Sequence, residues 1–484
     1  MIAPSPKTGS TTRRILKMMS IFGSVQAVQM LCSVVRTKFV ALWIGAAGIG
    51  LFGIFSSAFE MISVLVQLGI RNSGVREIAV AAKERLPLSV LAIRRWGLLL
   101  GVAGALLTAA LSVPLSLFTF GDTAHWWGYA LLGAAILLST LSTTESAVFQ
   151  GIGQLKRLAT GLLCGTIGGL AVSIPMFRLW GEGSIVPSIL AYALCGWIGL
   201  GLYRAKVAEP AVRPGWRESL ISGKQVIVLG IYLTICDFMT YLVAFVFMSW
   251  LNRDSGEEAV GFFQSGFTIA NKYLGVIFTA LALEFYPRLS GVIRSRRGVR
   301  LTVSHETSLI MLIIIPVATL FIACDQWIVR LLYKEEFLVI LPFVTWAVVG
   351  TVFRAASWCM SFSILARGDG RTFLWTEALS SVIYLGCNCL FYKLWGITGM
   401  GVAYLLWYAL YTLIIGWVYI KKYGYRINRG AVGLTVTALL AVGVAAASRT
   451  LLGWEYAGGV ALAASLFSLM IFRRIFRRRR ALTL

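Results

Sequence analysis

Charged side chains inside apolar segments are the residues of this sequence best placed to do chemistry. Arg354 stands in the middle of FVTWAVVGTVFRAASWCMSFSILA, and Lys272 is nearly central in FTIANKYLGVIF. An ionisable group in hydrocarbon costs several kcal/mol, so it normally faces a partner or a water-filled cavity. Both charges are positive, and a guanidinium can hold phosphate oxygens through two parallel hydrogen bonds. We therefore expect an anion-binding cavity, with a buried ion pair as the alternative role for Arg354.

Four further charges within apolar segments complete the set of candidates. Arg36 and Lys38 lie at the end of the first segment and are additional candidate ligands of the anion. Glu60 and Asp237 are candidate carboxylates for coupling transport to an ion gradient. Long side chains near a membrane interface can instead extend toward the headgroups, which is the expected behaviour of Glu145 and Glu284, and an alternative one for Arg36.

The sequence lacks the usual groupings for catalysis, metal binding or ATP hydrolysis. Its eight cysteines lie in apolar segments without the spacing of a zinc site. Its two histidines, His125 and His305, are far apart in the chain. A phosphate-binding loop of the Walker type is missing as well. We therefore expect no catalytic residue, no cofactor and no metal site, and a protein that is not an enzyme.

The elements that must position these residues are transmembrane helices. The mean hydropathy is +0.81, and 58% of the residues are hydrophobic against 13% charged. Hydrocarbon about 30 Å thick needs roughly 20 helical residues to cross it, and near-continuous apolar runs favour helices over a barrel. Fourteen spans are expected, at about residues 16–35, 51–69, 97–117, 127–149, 159–177, 185–203, 226–250, 261–286, 306–325, 337–365, 373–393, 397–420, 432–448 and 456–472.

The basic residues predict the orientation of these spans. The chain carries 44 Lys and Arg residues and a net charge of +24, and most of these residues fall in every second gap. Basic residues stay on the cytoplasmic side, so both termini are predicted to be cytoplasmic. The positive charge is thus a topology signal, and we expect no nucleic acid as a partner.

The longest polar gap predicts the domain organisation. Residues 204–225 contain Pro210 and Pro214 and mixed charges, which is typical of a linker. We expect an all-α integral membrane protein with two six-helix lobes, residues 1–203 and 226–422, around a central cavity. Residues 423–484 would add a helix pair and a basic cytoplasmic tail.

Three stretches resemble one family of membrane proteins. RTKFVALWIGAAGIGLFGIF (36–55) with LGIRNSGVREIA (68–79) is similar to the first helix pair of Wzx-type O-antigen and lipid III flippases. Residues 258–290 resemble the eighth helix of that family, and residues 331–368 resemble its tenth-helix region. The order and spacing agree across about residues 15–422. These flippases belong to the multidrug/oligosaccharidyl-lipid/polysaccharide exporter superfamily.

The resemblance implies a flippase that moves an undecaprenyl-diphosphate-linked oligosaccharide across the bacterial inner membrane by alternating access. Lys38 and Arg354 fall where relatives carry basic residues. Thr351 and Lys272 fall where relatives can carry acids, so the resemblance supplies no coupling acid at those two positions. Expected partners are the lipid-linked glycan and membrane lipids, together with a polysaccharide polymerase and a chain-length regulator.

Two other functions remain as alternatives. A drug or cation antiporter of the same superfamily would be expected to place acids, rather than Arg354 and Lys272, at the centre of its spans. A membrane polymerase or glycosyltransferase usually carries a large extracytoplasmic loop or a soluble catalytic domain, and no gap between the predicted spans is long enough for either.

Overall fold

The computed structural model describes residues 8–82, 84–203, 215–216 and 224–480, and every regular element in these ranges is helical. The helices before the long polar gap are α1 (Thr8–Trp43), α2 (Ala46–Gln67), α3 (Ile70–Val80), α4 (Leu86–Ala110), α5 (Ser112–Thr119), α6 (Trp126–Gly151), α7 (Leu155–Trp180) and α8 (Ile185–Leu202). The helices after it are α9 (Lys224–Thr268), α10 (Val276–Gly291), α11 (Arg296–Ala323), α12 (Asp325–Leu332), α13 (Leu341–Arg367), α14 (Gly370–Trp417), α15 (Arg429–Leu451) and α16 (Trp454–Arg480).

The described residues form fourteen membrane crossings, as predicted. Eleven segments of the described chain are long and apolar enough to cross a membrane, and three of them have 48, 49 and 53 residues. At 1.5 Å per residue these three are about twice as long as one crossing requires. Each is interrupted near its middle, at the 3-10 turn Gly181–Ser184, at Gly256 and at Gly396. Gly256 and Gly396 have φ values of 83° and 57°, in the left-handed region that favours glycine.

The first crossing ends later than the sequence suggested. α1 continues to Trp43, and the chain turns into α2 at Gly45, which has a φ of 89°. The predicted end near residue 35 is therefore wrong, and Arg36 and Lys38 lie within the helix rather than at its end. The apolar run gives the predicted end of the span, whereas the backbone conformation of Gly45 determines where the helix stops.

The described residues fall into two compact units that meet at Gly261 and Phe262 in the chain. The predicted lobe boundary at residues 204–225 lies mostly outside the described residues, so it remains a prediction. The basic tail is described only to residue 480. Helices α15 and α16 belong to the second unit, where both pack against α11.

Glycines allow helices of the first unit to approach closely. A Cβ at Gly50 in α2 would lie 1.9 Å from the carbonyl oxygen of Glu257, and one at Gly261 would lie 1.9 Å from that of Ala46. Real Cβ atoms cannot come so near a backbone oxygen. This reciprocal contact therefore requires glycine at both positions, as expected where membrane helices pack through small residues.

The C-terminal helix pair is held to the second unit by a polar contact as well as by packing. The side chain of Arg449, at the end of α15, lies 3.0 Å from a carboxylate oxygen of Asp325, at the start of α12. Only 16% and 5% of these two side chains are exposed. Removing one partner of such a buried pair leaves an uncompensated charge, so the pair favours a fixed position for α15.

Candidate functional site

Arg354 is held in the second unit by one edge of its guanidinium group. The side chain extends from α13, and its Nη1 donates hydrogen bonds to the carbonyl oxygen of Ala270 and to the hydroxyl of Tyr404, each at 3.3 Å. The guanidinium carbon lies 4.8 Å from the ring centre of Phe278 and 5.7 Å from that of Tyr408. Ring faces attract a cation without neutralising it, so this environment keeps the charge of Arg354 intact.

A π-helical turn supplies the carbonyl group that Arg354 contacts. Residues Ile269–Tyr273 form this turn, in which the N–H of Leu274 donates to the carbonyl of Ile269 at 3.3 Å. Such turns interrupt α-helices frequently at functional sites. Lys272 lies in the same turn and its side chain is exposed. Gly275 follows, and a Cβ there would lie 1.9 Å from the carbonyl oxygen of Asn271, so the turn requires glycine at this position.

The other edge of Arg354 has no acceptor within the described part of the protein. Both hydrogen bonds come from Nη1, and neither Nε nor Nη2 is among the atoms buried without a partner. Nε and Nη2 therefore stay unbonded and are not completely buried. Among the described residues no carboxylate lies within ion-pair distance of Arg354, so its charge is not cancelled by the protein.

Tyr404 connects Arg354 to a second polar residue of the π-helical turn. Its hydroxyl donates to Oδ1 of Asn271 at 3.5 Å while it accepts from Arg354. The amide nitrogen of Asn271 is buried and has no partner among the described groups. An unpartnered buried donor costs free energy, and a ligand or water that accepts from it would recover that cost.

Arg36 occupies a comparable place in the first unit. Its guanidinium carbon lies 4.6 Å from the ring centre of Phe52 in α2 and 4.7 Å from that of Tyr192 in α8. Its Nε is buried without a partner, and it makes no hydrogen bond or ion pair with the residues described. Nη1 and Nη2 form the accessible edge of this side chain.

The remaining candidates of the first unit divide between a half-buried cation and a pair of acids. Lys38 is half-buried, two residues beyond Arg36 on α1. Glu60 on α2 and Asp237 on α9 both have exposed side chains. The charges of both carboxylates act on the hydroxyl of Tyr241, so the fold brings together two acids that are 177 positions apart in the sequence.

Two carboxylates that were expected to extend toward an interface behave differently from each other. The prediction for Glu145 is wrong, because its side chain forms a two-pronged ion pair with Arg94, with distances of 2.9 and 2.6 Å. The partner comes from α4 and is 51 residues away, too far to be recognised from spacing. Glu284 is 78% exposed and lies 3.3 Å from Arg288, which also bonds to the buried Glu306.

The aromatic walls of both arginines were missed by the sequence-based reasoning. One signal was present, since Tyr404 and Tyr408 in YLLWY are four residues apart and so share a helix face. The walls from Phe278, Phe52 and Tyr192 carried no such signal, because each comes from another helix. No group of three or more His, Cys, Asp or Glu side chains in the described chain could hold a metal ion.

Comparisons with known proteins agree with this architecture. The lipid III flippases of Escherichia coli and Shigella flexneri are each 21% identical to the chain over 397 residues, which cover 77% of it and 90% of the relative. The solved structure of the lipid II flippase MurJ, in an inward closed conformation, superposes with a TM-score of 0.73 at 12% identity. That match covers 94% of this chain and 99% of the other.

A multidrug transporter of the MATE family shares the fold as well. Its inward-facing structure superposes with a TM-score of 0.66 at 15% identity, over 84% of this chain and 96% of the other. The model of the family described as "Polysaccharide biosynthesis protein" matches residues 40–342, more than half of the chain. The resemblance found in the sequence is therefore confirmed: the chain belongs to this polysaccharide biosynthesis family and has the multi-pass fold of the MOP-superfamily transporters.

Proposed function

We propose that the protein is a flippase for oligosaccharides linked to undecaprenyl diphosphate, such as an O-antigen unit, in the bacterial inner membrane. The family match and the lipid III flippase relatives support the class of cargo. The fold shared with the lipid II flippase MurJ supports a mechanism of alternating access. Both termini would lie in the cytoplasm, as the distribution of basic residues predicts.

One observation carries the proposal. Arg36 and Arg354 are each surrounded by aromatic rings, and each keeps one edge of its guanidinium group free of hydrogen bonds to the described residues. A guanidinium can present an end-on edge, with Nη1 and Nη2, or a side-on edge, with Nε and one Nη. Arg36 offers the first kind of edge and Arg354 the second. Either edge matches two oxygens of one phosphoryl group. We infer that each arginine, within its own unit, can bind a phosphoryl group of the cargo.

The aromatic surroundings suit a cation that must accept and release an anion. A carboxylate partner would compete with the diphosphate for the guanidinium and would have to be displaced at each cycle. Arg36 is contacted by the rings of Phe52 and Tyr192, and Arg354 by those of Phe278 and Tyr408. The ring faces attract the cation and leave its hydrogen-bonding edge unused. Lys272 and Lys38 would add positive charge without the planar geometry.

The two acids near Tyr241 are the candidates for ion coupling. Glu60 and Asp237 each act electrostatically on the hydroxyl of Tyr241, so both carboxylates lie in the neighbourhood of that residue. A proton or a sodium ion bound by either carboxylate would offset its charge. We infer that exchange of this cation accompanies the movement of cargo.

Flipping by the purified protein tests the proposal. Proteoliposomes would contain a fluorescent oligosaccharide linked to undecaprenyl diphosphate, and a membrane-impermeant quencher would report its transfer between leaflets. The wild type should accelerate transfer, whereas Arg36→Ala and Arg354→Ala should each be strongly impaired. Arg178→Ala, which removes an exposed charge, is the matched control and should resemble the wild type.

The same variants would be examined in cells that depend on the protein for surface polysaccharide. Both arginine variants should reach the membrane in normal amounts and fail to restore the polysaccharide. Wild-type transfer rates for both alanine variants would overturn the assignment of the arginines. Lack of transfer by the wild type itself would overturn the flippase proposal.

One observation favours a second function, that of a drug or cation antiporter. The acids near Tyr241 can attract organic cations, and the fold is shared with a MATE multidrug transporter. Drug sensitivity of a deletion strain whose surface glycans are intact would support this function. We prefer the flippase because the caged arginines favour an anionic cargo. A polysaccharide polymerase and a chain-length regulator remain the proposed protein partners.

A further inference from the structure

The interruption at Gly396 divides α14 into a first and a second limb. A groove in the second unit lies between these two limbs, and Arg354 does not line it. It has a volume of about 740 Å³. Arg371, Trp375 and Leu379 follow one another at intervals of four residues, so they share one face of the first limb. The opposite wall is lined by Leu413 and Trp417 from the second limb. Lys422, from a separate π-helical turn that directly follows this limb, completes the wall.

The walls of the groove are suited to hydrocarbon. Trp375 and Trp417 are 69% and 63% exposed, so both present apolar surface to the groove. Leu379 and Leu413 continue the apolar surface between the limbs. An acyl chain lying along the groove would cover all four side chains.

The polar end of the groove is positively charged. Arg371 is exposed and makes no ion pair or hydrogen bond with the described residues. Lys422 lies 2.9 Å from Asp369 and also bonds to the hydroxyl of Thr372. Lys422, followed by Thr372, holds the pKa of the Asp369 carboxyl well below its usual range, so this acid balances one of the cations. Arg371 and the neighbouring Lys421 leave a surplus of positive charge.

We propose that this groove binds one anionic glycerophospholipid of the cytoplasmic leaflet. The phosphate would lie on Arg371 and beside Lys422, and an acyl chain would lie between Trp375 and Trp417. The positive end is at the side of the membrane where the basic loops gather, and anionic headgroups of that leaflet attract such residues. The proposal concerns a resident lipid and does not depend on the cargo of the transporter.

A second groove, in the first unit, is a comparison for the groove of α14, because its cations can be examined in the same way. It has a volume of about 700 Å³ and is lined by Arg94, Arg95 and Trp197 among others. Arg94 is paired with Glu145, and Arg95 donates to the carbonyl of Gly215 at 2.9 Å. The cations of this groove already have protein partners. We therefore expect selective binding of an anionic lipid at the groove of α14 and not at this second groove.

Fluorescence quenching by lipids with brominated acyl chains tests the proposal on the full-length purified protein. Brominated phosphatidylglycerol should quench tryptophan emission at lower mole fractions than brominated phosphatidylcholine. Arg371→Gln should raise the half-quenching mole fraction of phosphatidylglycerol about fivefold, as expected for the loss of one charged contact. Arg297→Gln, at an exposed position near the start of α11, is the matched control and should behave as the wild type.

Replacing the two tryptophans locates the effect. The selective part of the quenching should disappear when Trp375 and Trp417 are both changed to Phe. Equal quenching of the wild type by the two lipids would overturn the proposal, and so would an Arg371→Gln response equal to that of the wild type. Relief of the quenching by undecaprenyl phosphate at equal mole fraction would assign the groove to a polyprenyl lipid and would also overturn it.

Discussion

The two compact units each carry an arginine between aromatic rings, but the two side chains are held in different ways. In the second unit, Arg354 is anchored through Nη1 to a backbone carbonyl and to Tyr404. In the first unit, Arg36 has only the ring faces of Phe52 and Tyr192, at 4.6 and 4.7 Å. One cation is thus oriented by directional bonds, and the other only by attraction to two rings.

This difference assigns separate tasks to the two arginines. Hydrogen bonds orient a side chain within tens of degrees, whereas a cation can shift across a ring face at little cost. We expect Arg354 to hold a bound phosphoryl group in a defined position, and Arg36 to bind one while its own side chain shifts.

Charge reversal should have the largest effect. Arg36→Glu and Arg354→Glu should each slow flipping by about 100-fold or more, because a carboxylate would repel the diphosphate and would itself be poorly solvated. Initial rates in proteoliposomes with equal amounts of inserted protein would measure this. A variant that keeps the wild-type rate would show that its arginine only supports the fold, and the contrast would then be lost.

Removal of one tyrosine hydroxyl in each unit tests whether Arg354 is held by hydrogen bonds and Arg36 only by ring contacts. Tyr404→Phe removes an acceptor from Arg354 and the donor to Asn271, so the apparent affinity for the cargo should fall about tenfold. Tyr192→Phe keeps the ring that contacts Arg36 and is the matched control, with no change expected. Equal losses in the two variants would contradict the proposed difference.

Neutral replacements of the acids test whether coupling belongs to the first unit alone. Glu60→Gln and Asp237→Asn should abolish the acceleration of flipping by an imposed ion gradient, a loss of about fivefold, while flipping without a gradient continues. Glu377→Gln, which alters a carboxylate of the second unit that accepts from Tyr411 at 2.6 Å, should keep the acceleration. Loss of coupling in that control would place an ion site in the second unit.

The smallest effect is expected at the exposed ion pair of the second unit. Asp369→Asn should lower the midpoint of thermal unfolding by about 1 or 2 °C at pH 7, since exposed pairs contribute little. The pKa of Asp369 is lowered in the folded protein, so its contribution is present above the usual pKa of an aspartate and is lost as the pH falls below it.

Thermal unfolding of both proteins from pH 7 down to the acid range would measure this contribution. The difference between variant and wild type should shrink toward low pH. A difference that stays constant with pH would mean that the carboxylate of Asp369 does not contribute through its charge.

Most of the fold follows from the sequence, because the thickness of the hydrocarbon layer imposes a length on every crossing. The fourteen spans were predictable even where the structure joins two of them into one helix, as in α14. The end of the first span was not, because it depends on the backbone conformation of Gly45 and not on hydropathy. The division at Gly261 and Phe262 likewise depends on which helices pack together.

The sequence was sufficient to identify the charged residues of the candidate site, but not the groups that surround them. A charge within an apolar segment is evident from residue type alone, so Arg354, Lys272, Arg36 and Lys38 could be selected without coordinates. Their partners could not, because the groups around them are distant in the chain. The carbonyl of Ala270 is 84 positions from Arg354.

The sequence by itself determined that this protein spans the membrane many times and places positive charges within the hydrocarbon. Only the tertiary structure decided what each charge does. It paired Arg94 with Glu145, surrounded Arg36 and Arg354 with rings, and left an accessible edge on each of these two arginines. The reason is physical: hydropathy depends on the composition of each segment alone, whereas neutralisation of a buried charge depends on atoms within about 4 Å, which folding brings from other helices.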